Sequence, residues 1–164
     1  MIEVDVARLV VDAQGQPVLL LRPRPEGWQH RLLPIWIGLQ EATAILLAID
    51  DTAPPRPMSY DLMYSLLQTL GATVSQVAIT RLVEGTFYAE ITLDTATGPR
   101  VVDARPSDSV ALAARAGARI LVAEDVFDAA ALEVDEPPAP ADPDADVEQF
   151  SRFLDTVDPD DFRG

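Results

Sequence analysis

Apolar residues alternate with polar ones along the first part of the chain, which is the pattern of a strand with one buried face. Two such runs, residues 1–12 and 17–21, flank a Gln-Gly-Gln turn and predict a β-hairpin. A third short strand is predicted over residues 32–37, where Pro34 favours an edge position or a strand start. The chain therefore begins with three strands that are close in sequence.

The period of the apolar residues then changes to that of an α-helix. Residues 39–50 carry one apolar face, and the prolines within residues 54–57 must end that helix. We expect a second helix that has Ser59 as its cap and stops at Gly71. Its apolar face is formed by Leu62, Met63, Leu66, Leu67 and Leu70.

Strand periodicity returns in three runs joined by glycine-containing turns, residues 77–83, 87–93 and 100–103. These runs predict a three-stranded meander that ends at Asp103. A further short strand is expected over residues 119–122, and residues 126–132 follow a helical pattern. Together the elements predict an α+β protein, a single compact domain in which helices flank a mixed, largely antiparallel sheet.

Three domain segments follow from this pattern. The α+β domain is expected to cover residues 1–132, and a linker rich in proline and acidic residues covers residues 133–146. Residues 147–164 then form a short acidic amphipathic helix, in which apolar residues recur at helical spacing over 147–157. That helix either docks on the domain or binds a protein partner through residues 147–158, and docking is favoured because so short a helix is unstable alone.

The overall charge limits the classes of partner. The formal net charge is -15 at pH 7, and residues 133–164 contribute 11 acidic residues against two arginines. Such a charge repels nucleic acid at long range and disfavours it as a general electrostatic partner. The chain has no cysteine. We find neither a membrane-length apolar run nor a secretory pattern, so we expect a cytoplasmic protein without a membrane partner.

The junction between the meander and the next helix concentrates charge. Pro106 suits the first helical position, while Ser107 and Asp108 are expected to accept hydrogen bonds from free N–H groups of that first turn. Two interpretations stay open. In the first, Asp103 and Asp108 hold a hard cation while Arg105 binds a phosphate or carboxylate. In the second, Asp108 interacts with the helix dipole while Arg105 pairs with Asp103. Spacing alone favours the second.

Four segments, taken together, resemble the bifunctional nuclease domain family. They are Leu-Pro-Ile-Trp-Ile-Gly at 33–38 with Glu41, Pro-Arg-Pro-Met-Ser-Tyr-Asp-Leu at 55–62, Gly-Thr-Phe-Tyr-Ala at 85–89, and Asp-Ala-Arg-Pro-Ser-Asp-Ser-Val-Ala-Leu at 103–112. The resemblance covers residues 1–132, and residues 150–162 are similar to the family's C-terminal helix. It implies a compact α+β domain and cleavage of DNA and RNA. Where the family has a histidine before Asp61, this chain has Tyr60, which is a poor base at neutral pH.

Phosphodiester hydrolysis needs an activated water and relief of charge at phosphorus. We expect Mg²⁺ or Mn²⁺ to supply both, because a single histidine cannot build a multi-histidine zinc site. The candidate catalytic residues are Glu41, Asp61, Asp103 and Asp108, of which Asp103 and Asp108 are the candidate metal ligands. The candidate substrate-binding residues are Arg56 and Arg105, which would neutralise phosphate.

Other functions remain open from the sequence. A non-enzymatic interaction or regulatory module would act through the acidic tail and through self-association, since a free edge strand favours a homo-oligomer. A small-ligand sensor would use Arg105. A cluster of Arg22, Arg24 and Arg31 is a weak candidate for tracking a nucleic-acid backbone. Trp36 and Tyr88 are expected to be core or interface aromatics.

Overall fold

The computed structural model describes residues 1–28, 30–50 and 54–134. In that part of the chain, eight strands form one sheet and four helices accompany it. The elements in chain order are β1 (Ile2–Val11), β2 (Pro17–Pro23), β3 (Arg31–Trp36), α1 (Leu39–Ile49), α2 (Ser59–Thr69), β4 (Thr73–Val83), β5 (Thr86–Thr95), β6 (Gly98–Ala104), α3 (Pro106–Ala116), β7 (Arg119–Val122), α4 (Glu124–Ala130) and β8 (Leu132–Glu133).

The strands lie in the order β6-β5-β4-β7-β1-β2-β3-β8. Each neighbouring pair is antiparallel except β4 and β7, which are parallel. The exception arises because α3 carries the chain from β6, at the edge of the sheet, across β5 and β4 to β7. The predicted α+β domain with a mixed, largely antiparallel sheet is confirmed, and so are the first hairpin and the meander.

The helices divide by what they touch. Helices α1 and α2 pack against α3, which lies on β4, β5 and β7. Helix α4 touches both β3 and β4, although β7, β1 and β2 separate these strands in the sheet, so the sheet curves strongly. The largest fully buried side chains combine sheet and helix residues, among them Leu19, Leu33, Ile45, Ile79, Leu112 and Phe127.

Helix α2 departs from the prediction in two ways. Its N-cap is Met58, so the expected cap by Ser59 is wrong. No residue of α2 is fully buried, and the predicted apolar face is largely exposed. Of the predicted face only Leu67 turns towards the core, where it is partly buried together with Tyr60 and Tyr64. The exposed fractions are 54% for Leu62, 42% for Met63, 54% for Leu66 and 81% for Leu70.

The ends of the sheet differ. Strand β6 has one neighbour, β5, and its residues from Pro99 to Asp103 are exposed. Strand β8 has two residues and pairs with the start of β3. Apart from Glu133 and Val134, the predicted linker at 133–146 and the predicted helix at 147–164 lie outside the described residues. None of the four helices described is long and apolar enough to cross a bilayer.

Candidate functional site

Three acidic side chains occupy the same position in three helices. Glu41, Asp61 and Asp108 are each the third residue of their helix, in α1, α2 and α3 respectively. A carboxylate in the first helical turn interacts favourably with the free N–H groups and the positive end of the helix dipole. Because α1 and α2 both pack against α3, three negatively charged first turns are brought towards one region.

Arg105 joins two of these carboxylates. It is the N-cap residue of α3, and its guanidinium donates to Asp108 from Nε, at 2.7 Å from Oδ2, and from Nη2, at 3.0 Å from Oδ1. The same Nη2 lies 2.8 Å from Oε1 of Glu41. Its hydrogen bonds to Asp108 and the charge of that carboxylate raise the pKa of Arg105. The side chain is nevertheless 66% exposed, so the guanidinium is fixed but open to a ligand.

Tyr60 completes this group. Its hydroxyl donates to Oδ1 of Asp108 at 2.6 Å, and it comes from α2 while Asp108 belongs to α3. Burial raises the pKa of Tyr60, and the hydrogen bond to Asp108 raises it further, so the phenol stays protonated as a donor. We call Glu41, Tyr60, Arg105 and Asp108 the Arg105 cluster.

Asp108 is held in its charged form. Partial burial by itself raises the pKa of this carboxyl, but hydrogen bonds from Arg105 and Tyr60, with the positive charge of Arg105, outweigh burial and hold the pKa below its ordinary value. The expected role of Asp108 as a cap is wrong, because its carboxylate turns to these two side chains. Ser107 makes no capping bond either, since α3 has no side-chain cap.

Gly38 makes room for Glu41. The carboxylate of Glu41 folds back over Gly38, the N-cap of α1, so closely that a Cβ at position 38 would collide with Oε2. The backbone of Gly38, at φ -77, is accessible to any residue, so the constraint is the side chain of Glu41 alone. Glycine at this position thus lets Glu41 lie where it also meets Arg105.

Asp61 belongs to a neighbouring pair. Its Oδ2 accepts a hydrogen bond from the backbone N–H of Met58 at 2.9 Å, and its Oδ1 lies 2.9 Å from Nε of Arg115. The approach to Arg115 is an ion pair without the alignment of a hydrogen bond. Asp61 thereby ties α2 to α3 beside the Arg105 cluster and is not one of its members.

The two remaining candidates lie elsewhere. Asp103 is an exposed residue of β6, opposite Glu90 on β5. The alternative in which Arg105 pairs with Asp103 is wrong, because the partners of Arg105 are Glu41 and Asp108. Arg56 is exposed in the connection before α2.

The described residues contain no group of three or more His, Cys, Asp or Glu side chains gathered as for a metal ion. Two carboxylates, those of Glu41 and Asp108, do converge on Arg105. Mg²⁺ is commonly held by one or two carboxylates together with water and substrate phosphate oxygens. The donor set around Arg105 therefore suits that mode in chemical type and in number.

Two cavities meet at Arg105. One, of about 480 Å³, lies between α1 and α2 and is lined by Glu41, Tyr60, Met63, Arg105 and Asp108 among others. The other, of about 450 Å³, lies between the end of β3 and the β4–β5 turn and is lined by Trp36, Phe87, Arg105 and their neighbours. A ligand in either cavity can therefore contact Arg105.

Two of the three arginines suggested for a nucleic-acid surface, Arg24 and Arg31, are engaged elsewhere. Arg24 pairs with Glu3 and Asp5. Arg31 pairs with Asp128, and its guanidinium carbon lies 5.4 Å from the ring centre of Trp28 and 5.2 Å from that of Phe127. These contacts stabilise the fold and do not line either cavity at Arg105.

Sequence reasoning missed two members of this region. Residue type indicates only that Tyr60 is a poor base, whereas the structure shows it as a hydrogen-bond donor to Asp108. Arg115 was not singled out, although it lies two turns after Asp108 on α3 and pairs with Asp61. No local pattern points to either residue, because both contacts depend on how α2 packs against α3.

Comparison with known proteins assigns the chain to a family. The family model described as "Bifunctional nuclease domain" matches residues 19–135, which include the whole Arg105 cluster. The chain belongs to the bifunctional nuclease domain family. Two proteins of Mycobacterium tuberculosis named as uncharacterized, from strains CDC 1551 / Oshkosh and ATCC 25618 / H37Rv, are each 46% identical over 166 residues. Each alignment covers 98% of this chain and 98% of the relative.

Proposed function

We propose that this protein is a nuclease that hydrolyses phosphodiester bonds of DNA or RNA at the Arg105 cluster. The observation that carries the proposal is the guanidinium of Arg105, fixed by Glu41 and Asp108 yet 66% exposed where two cavities meet. The N–H groups of Nε and Nη2 are engaged by Asp108 and Glu41, which leaves the two N–H groups of Nη1 positioned in advance to donate to a phosphate. Membership of the family supports the reaction class.

The carboxylates supply the second requirement of the reaction. Glu41 and Asp108 would hold Mg²⁺ or Mn²⁺ together with phosphate oxygens of the substrate. When bound, such an ion lowers the pKa of a coordinated water and offsets charge at phosphorus. Tyr60 fixes one oxygen of Asp108, and its raised pKa makes it a donor and not the base. Asp61 would act by positioning α2, and Asp103 and Arg56 would contact more distant parts of the substrate.

The test is cleavage of labelled single-stranded DNA, duplex DNA and RNA by highly purified protein, with Mg²⁺, Mn²⁺ or a chelator. We expect chelator-sensitive cleavage, and a fall of about 100-fold or more in Arg105→Gln and Asp108→Asn, because both remove preorganised charge from the site. Folding of each variant is checked by circular dichroism and thermal melting.

Arg100→Gln is the matched control, because Arg100 is an exposed arginine on β6 whose side chain reaches only as far as Thr97. Its cleavage rate should stay within about twofold of the unaltered protein. Cleavage that is equal in Arg105→Gln and in the control would place the activity outside the Arg105 cluster, or in a contaminant, and would overturn the proposal.

A second candidate function is a non-enzymatic interaction module that self-associates. The exposed apolar face of α2 favours it, since Leu62, Leu66 and Leu70 are more than half exposed on one helix side. Sedimentation velocity of Leu66→Glu against the unaltered chain tests it. A monomer in both cases contradicts self-association. A separate variant that lacks residues 135–164 tests whether a protein partner binds through residues 147–158.

A further inference from the structure

Trp36 is a large aromatic side chain that the fold leaves open. It ends β3 with a side chain 56% exposed, so of the two placements expected for it, core or interface, the core is excluded. The four residues before it in β3, positions 32–35, are all buried, so exposure begins only at the end of the strand. An exposed indole offers a ligand a large apolar ring face together with one polar edge.

The exposed indole is held in one orientation. Its Nε1–H donates to Oδ2 of Asp12 at 3.0 Å. Asp12 is itself fixed, because its Oδ1 accepts the backbone N–H groups of Gln14 and Gln16, each at 2.9 Å. The turn between β1 and β2 therefore anchors Trp36 by its polar edge and leaves ring surface available for contact.

Trp36 also lines the cavity of about 450 Å³ that ends at Arg105. Phe87, from the start of β5, adds a second aromatic ring to the lining, and Ile35 and Ile37 add apolar surface. Arg105, Pro106 and Ser107, at the beginning of α3, also line the cavity. One cavity thus presents an apolar, aromatic part and a guanidinium, which match a nucleobase and a phosphate.

We propose that this cavity binds one unpaired nucleotide of a single-stranded nucleic acid, whose base stacks on Trp36 while an adjoining phosphate contacts Arg105. The proposal deepens the proposed nuclease function and rests on it for the choice of substrate class. A base in a duplex is already stacked and paired, so only an unpaired base can take this position without an unstacking cost. Stacking is tolerant of base identity, so we expect little sequence preference.

The net charge of the protein also predicts how binding should depend on salt concentration. A chain with a net charge of -15 gains little from general attraction to phosphates. Binding should therefore depend on stacking and on the single guanidinium of Arg105. The logarithm of the binding constant should fall with the logarithm of salt concentration at a slope near that of one or two phosphate contacts, roughly -1.

Binding is measured in chelator by fluorescence anisotropy of a labelled eight-residue oligodeoxythymidine, its abasic analogue of equal length, and a duplex. We expect Trp36→Ala to weaken binding of the single strand by about 5- to 150-fold, the loss that one stacked base accounts for. The affinity of the abasic analogue for Trp36→Ala should lie within about twofold of its affinity for the unaltered protein. Trp36→Phe should restore part of the affinity, because a smaller ring still stacks.

Trp28→Phe is the matched control, since Trp28 packs edge to face on Phe127, with ring centres 5.8 Å apart, away from the cavity. Its affinity for the single strand should not change. The chain has two tryptophans, so Trp28→Phe also leaves Trp36 as the single tryptophan, whose emission can be excited selectively at about 295 nm, which excites little tyrosine. Its emission should be quenched by the oligodeoxythymidine and not by the abasic analogue.

The outcomes separate the two proposals. Binding that depends on Trp36 without any cleavage would support the stacking site and overturn the nuclease. Cleavage that depends on Arg105, with single-strand affinity unchanged in Trp36→Ala, would overturn the stacking site and leave the nuclease standing. Tighter binding of the duplex than of the single strand would also overturn the stacking site.

Discussion

Helices α2 and α3 have the same length and the same kind of apolar pattern, yet they are buried very differently. Helix α3 has seven buried residues, among them Val110 and Leu112, whereas α2 has none. Helix α3 crosses the sheet between β6 and β7, so it must pack on the strands beneath it. Helix α2 packs against α3, at the margin of this layer.

The Arg105 cluster lies along the contact between these two helices. Arg105 and Asp108 are on the buried helix, and Tyr60 is on the exposed one. The difference teaches that three members of the site, Glu41, Arg105 and Asp108, are placed by helices with buried residues, whereas Tyr60 is placed by a helix with none. Segments with few buried apolar contacts open locally at low free-energy cost, so α2 is expected to be the adjustable wall of the site.

The largest loss in the free energy of unfolding is expected from a core substitution in α3. Leu112 is 1% exposed, so Leu112→Ala leaves a cavity and should lower the free energy of unfolding by about 2–5 kcal/mol. The matched change in α2, Leu66→Ala at a residue 54% exposed, should stay within about 0.5 kcal/mol. Urea unfolding followed by circular dichroism measures both. Equal losses in the two variants would show that α2 is buried in solution, for example in an oligomer.

An intermediate effect is expected at the ion pair that joins the two helices. The side chains of Arg115 and Asp61 are only 14% and 19% exposed, so Arg115→Gln leaves a carboxylate partly buried without its partner. We expect a loss of about 1–3 kcal/mol, between the values for exposed and fully buried pairs. Hydrogen exchange should rise in α2 more than in α3.

The control for that pair is Arg24→Gln, because Arg24 is 58% exposed and its partners Glu3 and Asp5 are partly exposed, at 31% and 41%. Its loss should stay below about 1 kcal/mol, as is usual for surface pairs. A uniform rise of exchange in both helices of Arg115→Gln would mean that α2 and α3 unfold together.

The smallest effect is expected at the hydrogen bond between the helices. Tyr60→Phe removes the donor to Asp108, which should cost about 1 kcal/mol at pH 7 and raise the pKa of Asp108 towards its ordinary value. Because the folded pKa of Asp108 is lowered, its contribution to stability is present above the unfolded pKa of about 4 and is lost as pH falls through the folded pKa.

The stability difference between Tyr60→Phe and the unaltered protein should therefore be full at pH 7 and shrink as the pH falls below about 4. Urea unfolding at a series of pH values measures it. A difference that stays constant down to pH 2 would assign the effect of Tyr60 to packing and not to the charge of Asp108.

Local sequence determined much of the fold. Pro106 at the first position of α3 and Gly117 at its end, with φ 63, were both predicted from residue type, because proline and glycine restrict or permit backbone angles locally. The hairpin and the meander followed from strand alternation and turns. The choice of Arg105, Asp108 and Glu41 as site residues rested on helix starts and family resemblance, and the structure does bring these three together.

Only the tertiary structure decided which of these residues meet and which apolar faces are covered. Periodicity identifies the apolar face of a helix, but whether that face is buried depends on neighbours distant in sequence, as the exposed Leu66 and the buried Leu112 show. The same holds for Tyr60, whose hydroxyl finds Asp108 across 48 positions of sequence. The sequence states the chemistry of each side chain, whereas the packing of the helices on the sheet determines which side chains come into contact.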